Sequence, residues 1–77
     1  MMLMASEEEL SVAAMHRIIE RAGAHRVSES ACKELAQVLE GIGVDIGKEA
    51  LEFAVYAGRN TVRGKDVKIA SRRVLNP

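Results

Sequence analysis

Tryptophan is absent from the 77-residue sequence, and cysteine, proline, tyrosine and phenylalanine each occur once. Because Cys32 is alone, no internal disulfide can form, and no paired cysteine and histidine spacing predicts a zinc site. We interpret Cys32 as a small buried hydrophobic residue in a reducing compartment, and His16 and His25 as surface residues. The sequence therefore predicts neither a disulfide nor a metal site.

Long apolar runs and enzyme motifs are also missing. No run approaches the ~20 apolar residues of a membrane helix, and the start MMLMASEEE lacks the basic region of a signal peptide. No nucleophile–base pair, phosphate-binding glycine loop or carboxylate pair stands out. We therefore expect a soluble cytoplasmic protein that is not an enzyme, binds no cofactor and makes no membrane contact.

The net charge of zero hides four segments of alternating sign. Residues 1–10 carry a net −3, residues 16–26 a net +2, residues 28–57 a net −4 and residues 59–73 a net +5. Such runs are often only solvated faces. Two of these segments, residues 16–26 and residues 59–73, nonetheless concentrate basic charge.

Apolar spacing predicts three helices and almost no strand. The first helix should begin near the cap Ser11, or earlier at the capping box SEEE of residues 6–9, and should end at Gly23. The second should run from the cap Ser28 to Gly58. The third should begin just after the sequence NTV, with one side formed by Val67, Ala70 and Val74. This spacing therefore predicts an all-α fold.

The central helix decides the architecture. A break at GIGVDIG, residues 41–47, would give a four-helix monomer, but the apolar phase does not reset there, so we predict one long helix. About 30 residues of helix extend ~45 Å, whereas a compact globule of this chain length is only about 30 Å across. Two short helices cannot cover such a helix, and a small domain without a disulfide or metal often needs a partner. We therefore expect an obligate dimer, with Gly41, Gly43 and Gly47 allowing close approach of two backbones.

Two sequence segments resemble archaeal histones of the histone-fold family. RIIERAGAHRVSESA at 17–31 resembles their first helix and first loop, and DIGKEALEFAVYAGRNTVRGKDVKIASRR at 45–73 resembles their second helix, second loop and third helix. The resemblance covers about residues 11–75 without gaps. It implies a histone fold (short helix, loop, long central helix, loop, short helix) and an intertwined head-to-tail handshake dimer, in which loop one of one protomer lies beside loop two of the other.

The resemblance also implies a set of DNA contacts on the first helix and first loop. Arg26 matches a first-loop arginine that enters the minor groove where the groove faces the protein, and Arg17 matches a first-helix arginine directed at phosphate. Arg21 is a further candidate for a phosphate contact. For all three, the alternative is an arginine that only faces solvent.

The second loop contributes the remaining implied contacts. Asn60 and Thr61 match a pair that contacts the DNA backbone, although turn and cap roles are the alternative. Arg59 and Asp66 match an internal clamp that fixes this loop against the third helix. Because the family often has lysine where Asn60 stands, and because the central helix is acidic, we expect weaker and more salt-sensitive DNA binding than in basic relatives.

A third set of residues is implied for contact between dimers. Phe53 and Tyr56 match positions that help form a four-helix bundle between dimers, with Asp66 of the neighbouring dimer as a hydrogen-bond partner. The family usually has histidine where Tyr56 stands. Whether dimers join into tetramers or longer stacks is left open.

The function implied is that of a histone. The chain is expected to bind double-stranded DNA largely without sequence preference and to compact it as homodimers or larger assemblies, associated with the chromosome in the nucleoid. The alternative is a histone-fold interaction subunit that pairs with another histone-fold chain in a transcription-factor-like complex. In either case, residues 1–10 form an acidic N-terminal segment and residues 11–77 form the histone-fold domain.

Overall fold

The computed structural model describes residues 10–76, which form three helices. They are α1 (Val12–Arg21), α2 (Glu29–Tyr56) and α3 (Gly64–Leu75). No strand occurs within residues 10–76, so the predicted all-α architecture of short, long and short helices is confirmed. Apart from Leu10, the predicted acidic segment of residues 1–10 lies outside the described residues.

Serine hydroxyls begin the first two helices, as the sequence predicts. The Ser11 hydroxyl accepts a hydrogen bond of 3.0 Å from the Ala14 N–H, and the Ser28 hydroxyl accepts one of 3.1 Å from the Ala31 N–H. Each bond satisfies a backbone donor that has no partner inside its helix. These caps fix where the loop before each helix ends.

Glycines in the left-handed conformation end the same two helices. Gly23 has φ +112° and Gly58 has φ +76°, values that residues with a side chain rarely adopt. After Gly58, the Arg59 N–H donates back to the Ala54 carbonyl at 2.9 Å, which closes the last turn of α2 in a Schellman motif. Both predicted helix ends are confirmed, and each turns the chain directly into a loop.

The glycines of GIGVDIG do not interrupt α2, so the four-helix alternative is wrong. A Cβ added at Gly41, Gly43 or Gly47 would meet nothing within 4 Å in the described chain. Packing inside one chain therefore does not explain why these positions lack a side chain. Close approach of a second backbone stays a prediction.

The chain divides into two compact units at Glu40 and Gly41. In the first unit, Met15, Cys32 and Ala36 are buried together, with half-buried apolar residues packed around them. In the second unit, the buried residues are Ala50, Ala54, Asp66 and Ala70. Both cores are built mostly of small side chains, and Cys32 is the largest that is fully buried in the described residues.

Large apolar side chains remain exposed instead. The third helix shows this clearly, because Ala70 is buried and Val74 half-buried while Val67 of the same predicted face is 43% exposed. The exposed large hydrophobic residues are Val12, Ile18, Val38, Val44, Leu51, Val55, Tyr56, Val62, Val67, Ile69 and Leu75. Extensive apolar exposure of this kind marks surfaces that bind another protein.

Candidate nucleic-acid interface

Loop 2, residues 57–63, is held by the carboxylate of Asp66. The guanidinium of Arg59 donates to both carboxylate oxygens, from Nη1 to Oδ2 at 2.9 Å and from Nη2 to Oδ1 at 2.8 Å. The backbone N–H of Arg63 also donates to Oδ2, at 2.8 Å. Arg59 Nη1 donates in addition to the Thr61 carbonyl at 3.0 Å. One buried carboxylate and one guanidinium therefore fix both ends and the middle of the loop.

The same contacts set the protonation state of this pair. The Arg59 hydrogen bonds, followed by the Arg63 backbone hydrogen bond, hold the pKa of Asp66 well below its ordinary range. Hydrogen bonding to Asp66 raises the pKa of Arg59 above its ordinary value. The Asp66 side chain is only 4% exposed, so its charge is neutralised within the protein and is shielded from a ligand at the loop surface. The pair is a fixed structural element with both groups charged.

We expect this carboxylate to make part of the stability acid-sensitive. Because the pKa of Asp66 is lower in the folded chain than the ordinary 3.8, its contribution is complete above that pH and is lost as the pH falls through the folded pKa. Melting temperatures of the native protein and Asp66→Asn, measured from pH 7 to pH 2, should therefore converge toward the acid end. A difference that stays constant over this range would contradict the linkage, and Asp45→Asn, which removes an exposed acid of α2, serves as the control.

The middle of loop 2 presents its side chains to solvent. Asn60 and Thr61 are both exposed, on the backbone that Arg59 supports through the Thr61 carbonyl. Two cationic residues are also exposed here: Arg63, the last residue of the loop, and Lys65, in the first turn of α3. The sequence analysis did not single out these two as site residues, although the net +5 of residues 59–73 already pointed to them. Loop 2 thus combines short hydrogen-bonding side chains with neighbouring cations.

Loop 1, residues 22–28, lies between the Gly23 turn and the Ser28 cap. Val27 is half-buried against the core cluster of Met15 and Cys32, whereas the preceding Arg26 is exposed. The two neighbouring side chains therefore differ: Val27 packs against the core of the first unit, and Arg26 lies at the surface of the loop. Arg26, Val27 and Ser28 line an open concavity together with residues of α1 and α2.

Two further arginines lie on α1. Arg17 and Arg21 are four residues apart, so they share one side of the helix, and both are exposed. Met15 is buried on another side of α1, which orients this basic side away from the core. Arg21 also lies in the last turn, where the helix dipole favours positive charge.

The residues implied for contact between dimers differ in exposure. Tyr56, the last residue of α2, is 96% exposed, whereas Phe53 is half-buried with the Arg73 guanidinium 5.6 Å from its ring centroid. Arg73 also approaches Glu49 at 3.8 Å, and the two contacts join α3 to α2 within the second unit. Asp66 already accepts three hydrogen bonds from its own chain. A further hydrogen bond to Asp66 from Tyr56 of a neighbouring dimer stays a prediction.

Comparison with known proteins gives this arrangement a family. Residues 8–70 match the family described as histone-like transcription factor (CBF/NF-Y) and archaeal histone. An archaeal histone HAN1 chain of Thermococcus zilligii is 52% identical over 62 residues, which cover 80% of this chain and 92% of that protein. Probable archaeal histone 3 of Methanocaldococcus jannaschii is 47% identical over 64 residues, which cover 83% of this chain and 96% of that protein.

Three helices in short, long and short order, together with this match, define a histone-fold protein. The chain belongs to the family of histone-like transcription factors (CBF/NF-Y) and archaeal histones. The predicted resemblance and the predicted fold are therefore confirmed.

Proposed function

We propose that this chain is an archaeal-type histone. It binds double-stranded DNA largely without sequence preference and compacts the DNA as dimers or larger assemblies, associated with the chromosome and without enzymatic activity. The names of the two relatives, both archaeal histones, support this proposal. Within residues 10–76, no helix is both long and apolar enough to cross a membrane, and no group of three or more His, Cys, Asp and Glu residues could hold a metal ion.

The observation that carries the proposal is the ion pair between the half-buried Arg59 and the buried Asp66 beneath an exposed loop. A loop that binds phosphate through backbone amides and short side chains must be rigid, since ordering it on binding would cost conformational entropy. The pair supplies that rigidity from inside, and it leaves Asn60 and Thr61 exposed. Contacts of this kind are made to the phosphates and sugars of the DNA backbone, so they do not depend on the base sequence.

The proposal includes a handshake dimer, which is supported by the apolar surface of the single chain. Cores made mostly of alanine leave eleven large hydrophobic residues exposed within the described part of the chain. A second copy that crosses α2 head to tail would cover part of this surface, together with the half-buried Ile42 and Ile46 of α2. It would also bring the first loop of one protomer beside the second loop of the other, so that the net +2 and net +5 segments form one basic region at each end of the dimer.

Salt dependence tests the DNA-binding proposal. Three arginines per chain, at positions 17, 21 and 26, give six per dimer, so affinity should fall about 10³-fold between roughly 50 and 200 mM salt. Two duplexes of unrelated sequence should bind alike in a fluorescence anisotropy titration. Arg26→Ala should weaken binding to both and reduce the salt slope.

The matched control for that titration is Lys33→Ala, which removes the same charge from α2. The Lys33 amine already lies 3.7 Å from Glu29, so its charge is locally balanced and its loss should matter less. A binding curve indifferent to salt, or equal effects of the two variants, would contradict the proposed site.

The acidic N-terminal segment gives a further prediction. Because Leu10 packs against the core cluster of the first unit, a deletion should stop at residue 9 to spare this contact. Removing residues 1–9 leaves 11 bases against 8 acids, and the resulting net +3 should tighten DNA binding modestly at low salt. Glu7, Glu8 and Glu9 replaced together by glutamine should reproduce the gain. Unchanged affinity would show that these three glutamates lie too far from the DNA to repel it measurably.

A second candidate function is an interaction subunit that pairs with a different histone-fold chain. The neutral net charge and the transcription factors within the same family favour it. It predicts that the chain alone binds DNA without salt dependence, if it binds at all, and the same titration therefore separates the two functions.

A further inference from the structure

An exposed apolar stripe follows the second half of α2. It consists of Val44, Lys48, Leu51 and Val55, whose spacing of four, three and four residues places them within an arc of about 60° on the helix. Val44 and Leu51 are each 51% exposed, and Val55 is 63% exposed. The aliphatic stem of Lys48 fills the gap in the row. Single exposed hydrophobic residues are ordinary, but three aligned on one helix face mark a contact surface.

This stripe lies opposite the face that the handshake dimer would use. Ile42 and Ile46 are half-buried, and at 100° per residue they point about 160–200° away from Val44. The buried Ala50 and Ala54 face the core of the same unit. A partner chain that covers Ile42 and Ile46 therefore leaves the stripe on the outer surface of the dimer.

We propose that the stripe pairs with the same stripe of a second copy, so that two dimers associate side by side through antiparallel α2 helices. A two-fold axis between residues 49 and 50 would place Val44 opposite Val55 of the second copy and Lys48 opposite its Leu51. The apolar groups then cover one another, and the contact is closed by symmetry.

Charge selects a second copy as the occupant. In this register, Lys48 lies beside Glu52 of the second copy, because the two residues occupy the same edge of the stripe. The two-fold axis repeats the pair, so one contact contains two Lys48–Glu52 ion pairs. A parallel arrangement in register would instead set Lys48 against Lys48.

The small size of the stripe sets its expected strength. Four side chains per copy form much less than the ~800 Å² that a stable interface buries on each partner. The side-by-side contact should therefore form reversibly, at concentrations well above those that maintain the dimer. DNA that holds several dimers close together would raise their effective concentration and favour it. This surface is separate from the Phe53 and Tyr56 positions discussed above.

A charge exchange tests the proposal by sedimentation velocity over a protein concentration series without DNA. Lys48→Glu and Glu52→Lys should each weaken association beyond the dimer by about tenfold, since each replaces two attractions by two repulsions. The double variant Lys48→Glu/Glu52→Lys should restore it. Because the native net charge is zero, each single variant also leaves the chain with two units of net charge. Glu34→Lys, which reverses an exposed charge in the first half of α2, gives the same net +2 away from the stripe and should leave the association near that of the native protein.

Two further variants separate this contact from other causes. Val55→Ser should weaken the association, whereas Asp45→Asn, at an exposed position of α2 outside the stripe, should leave it unchanged, and the melting temperature of each should stay near that of the native protein. Native protein that remains a dimer at all concentrations would overturn the proposal, as would a double variant that fails to recover. Because DNA is absent, the result is independent of the proposed DNA binding, which is measured at dilute protein.

Discussion

Replacing Ile42 by glutamate is expected to leave most of the protein unfolded at micromolar concentration. Ile42 is half-buried near the middle of α2, on the face that the proposed dimer covers. A buried carboxylate without a partner there would either remain charged at a large cost or take up a proton. Since the cores of the single chain consist mostly of alanine, little stability remains once the partner is lost.

Val44→Glu is the matched control, because it places the same charge two residues away on the exposed stripe. Its dimer and its melting temperature should be close to those of the native protein. The native melting temperature should also rise with protein concentration, as dimer formation requires. A monomeric mass with cooperative unfolding independent of concentration, or equal damage from the two substitutions, would contradict the dimer.

Asp66→Asn is expected to lower the melting temperature by several degrees and to weaken DNA binding. The amide would keep the shape of the side chain but could not accept from Arg59 and Arg63 as the carboxylate does. The guanidinium of Arg59 would lose its partner, and loop 2 would loosen. Phosphate binding by Asn60 and Thr61 would then require loop 2 to be ordered, and the lost conformational entropy would weaken the binding.

Simple electrostatics predicts the opposite sign for this variant, because removing an acid beside DNA should strengthen binding. The control Asp45→Asn makes the same change in net charge on exposed α2 and should bind DNA as well as, or slightly better than, the native protein. Arg59→Ala should reproduce both effects of Asp66→Asn. Tighter binding by Asp66→Asn with an unchanged melting temperature would show that Asp66 acts only as a surface charge.

The helix boundaries were predictable because they depend on neighbours in sequence. Ser11 and Ser28 accept hydrogen bonds from residues three positions ahead, and Gly23 and Gly58 adopt a conformation that few other residues tolerate. The sequence also predicted that α2 continues through its glycines, because the helical spacing of apolar residues is the same on both sides of GIGVDIG. These are local effects that a periodic pattern records.

The contacts of loop 2 were only partly accessible in the same way. The resemblance pointed to Arg59 and Asp66, but not to the third donor, the Arg63 backbone N–H, which depends on where α3 begins. Likewise, the sequence analysis counted Arg63 and Lys65 in the net charge of residues 59–73 but did not predict them as site residues. The start of α3 is what places them at loop 2. Positions that depend on a turn between two helices cannot be obtained from periodicity alone.

The sequence by itself therefore determined three helices, their ends, the segregation of basic charge and the family. The tertiary structure decided which side chains have partners. It buried Asp66 beneath loop 2, and it left Val44, Leu51 and Val55 exposed although each is as apolar as the residues of the core. The physical reason is that hydrophobicity and charge belong to a residue, whereas burial and hydrogen bonding belong to what the fold places against it.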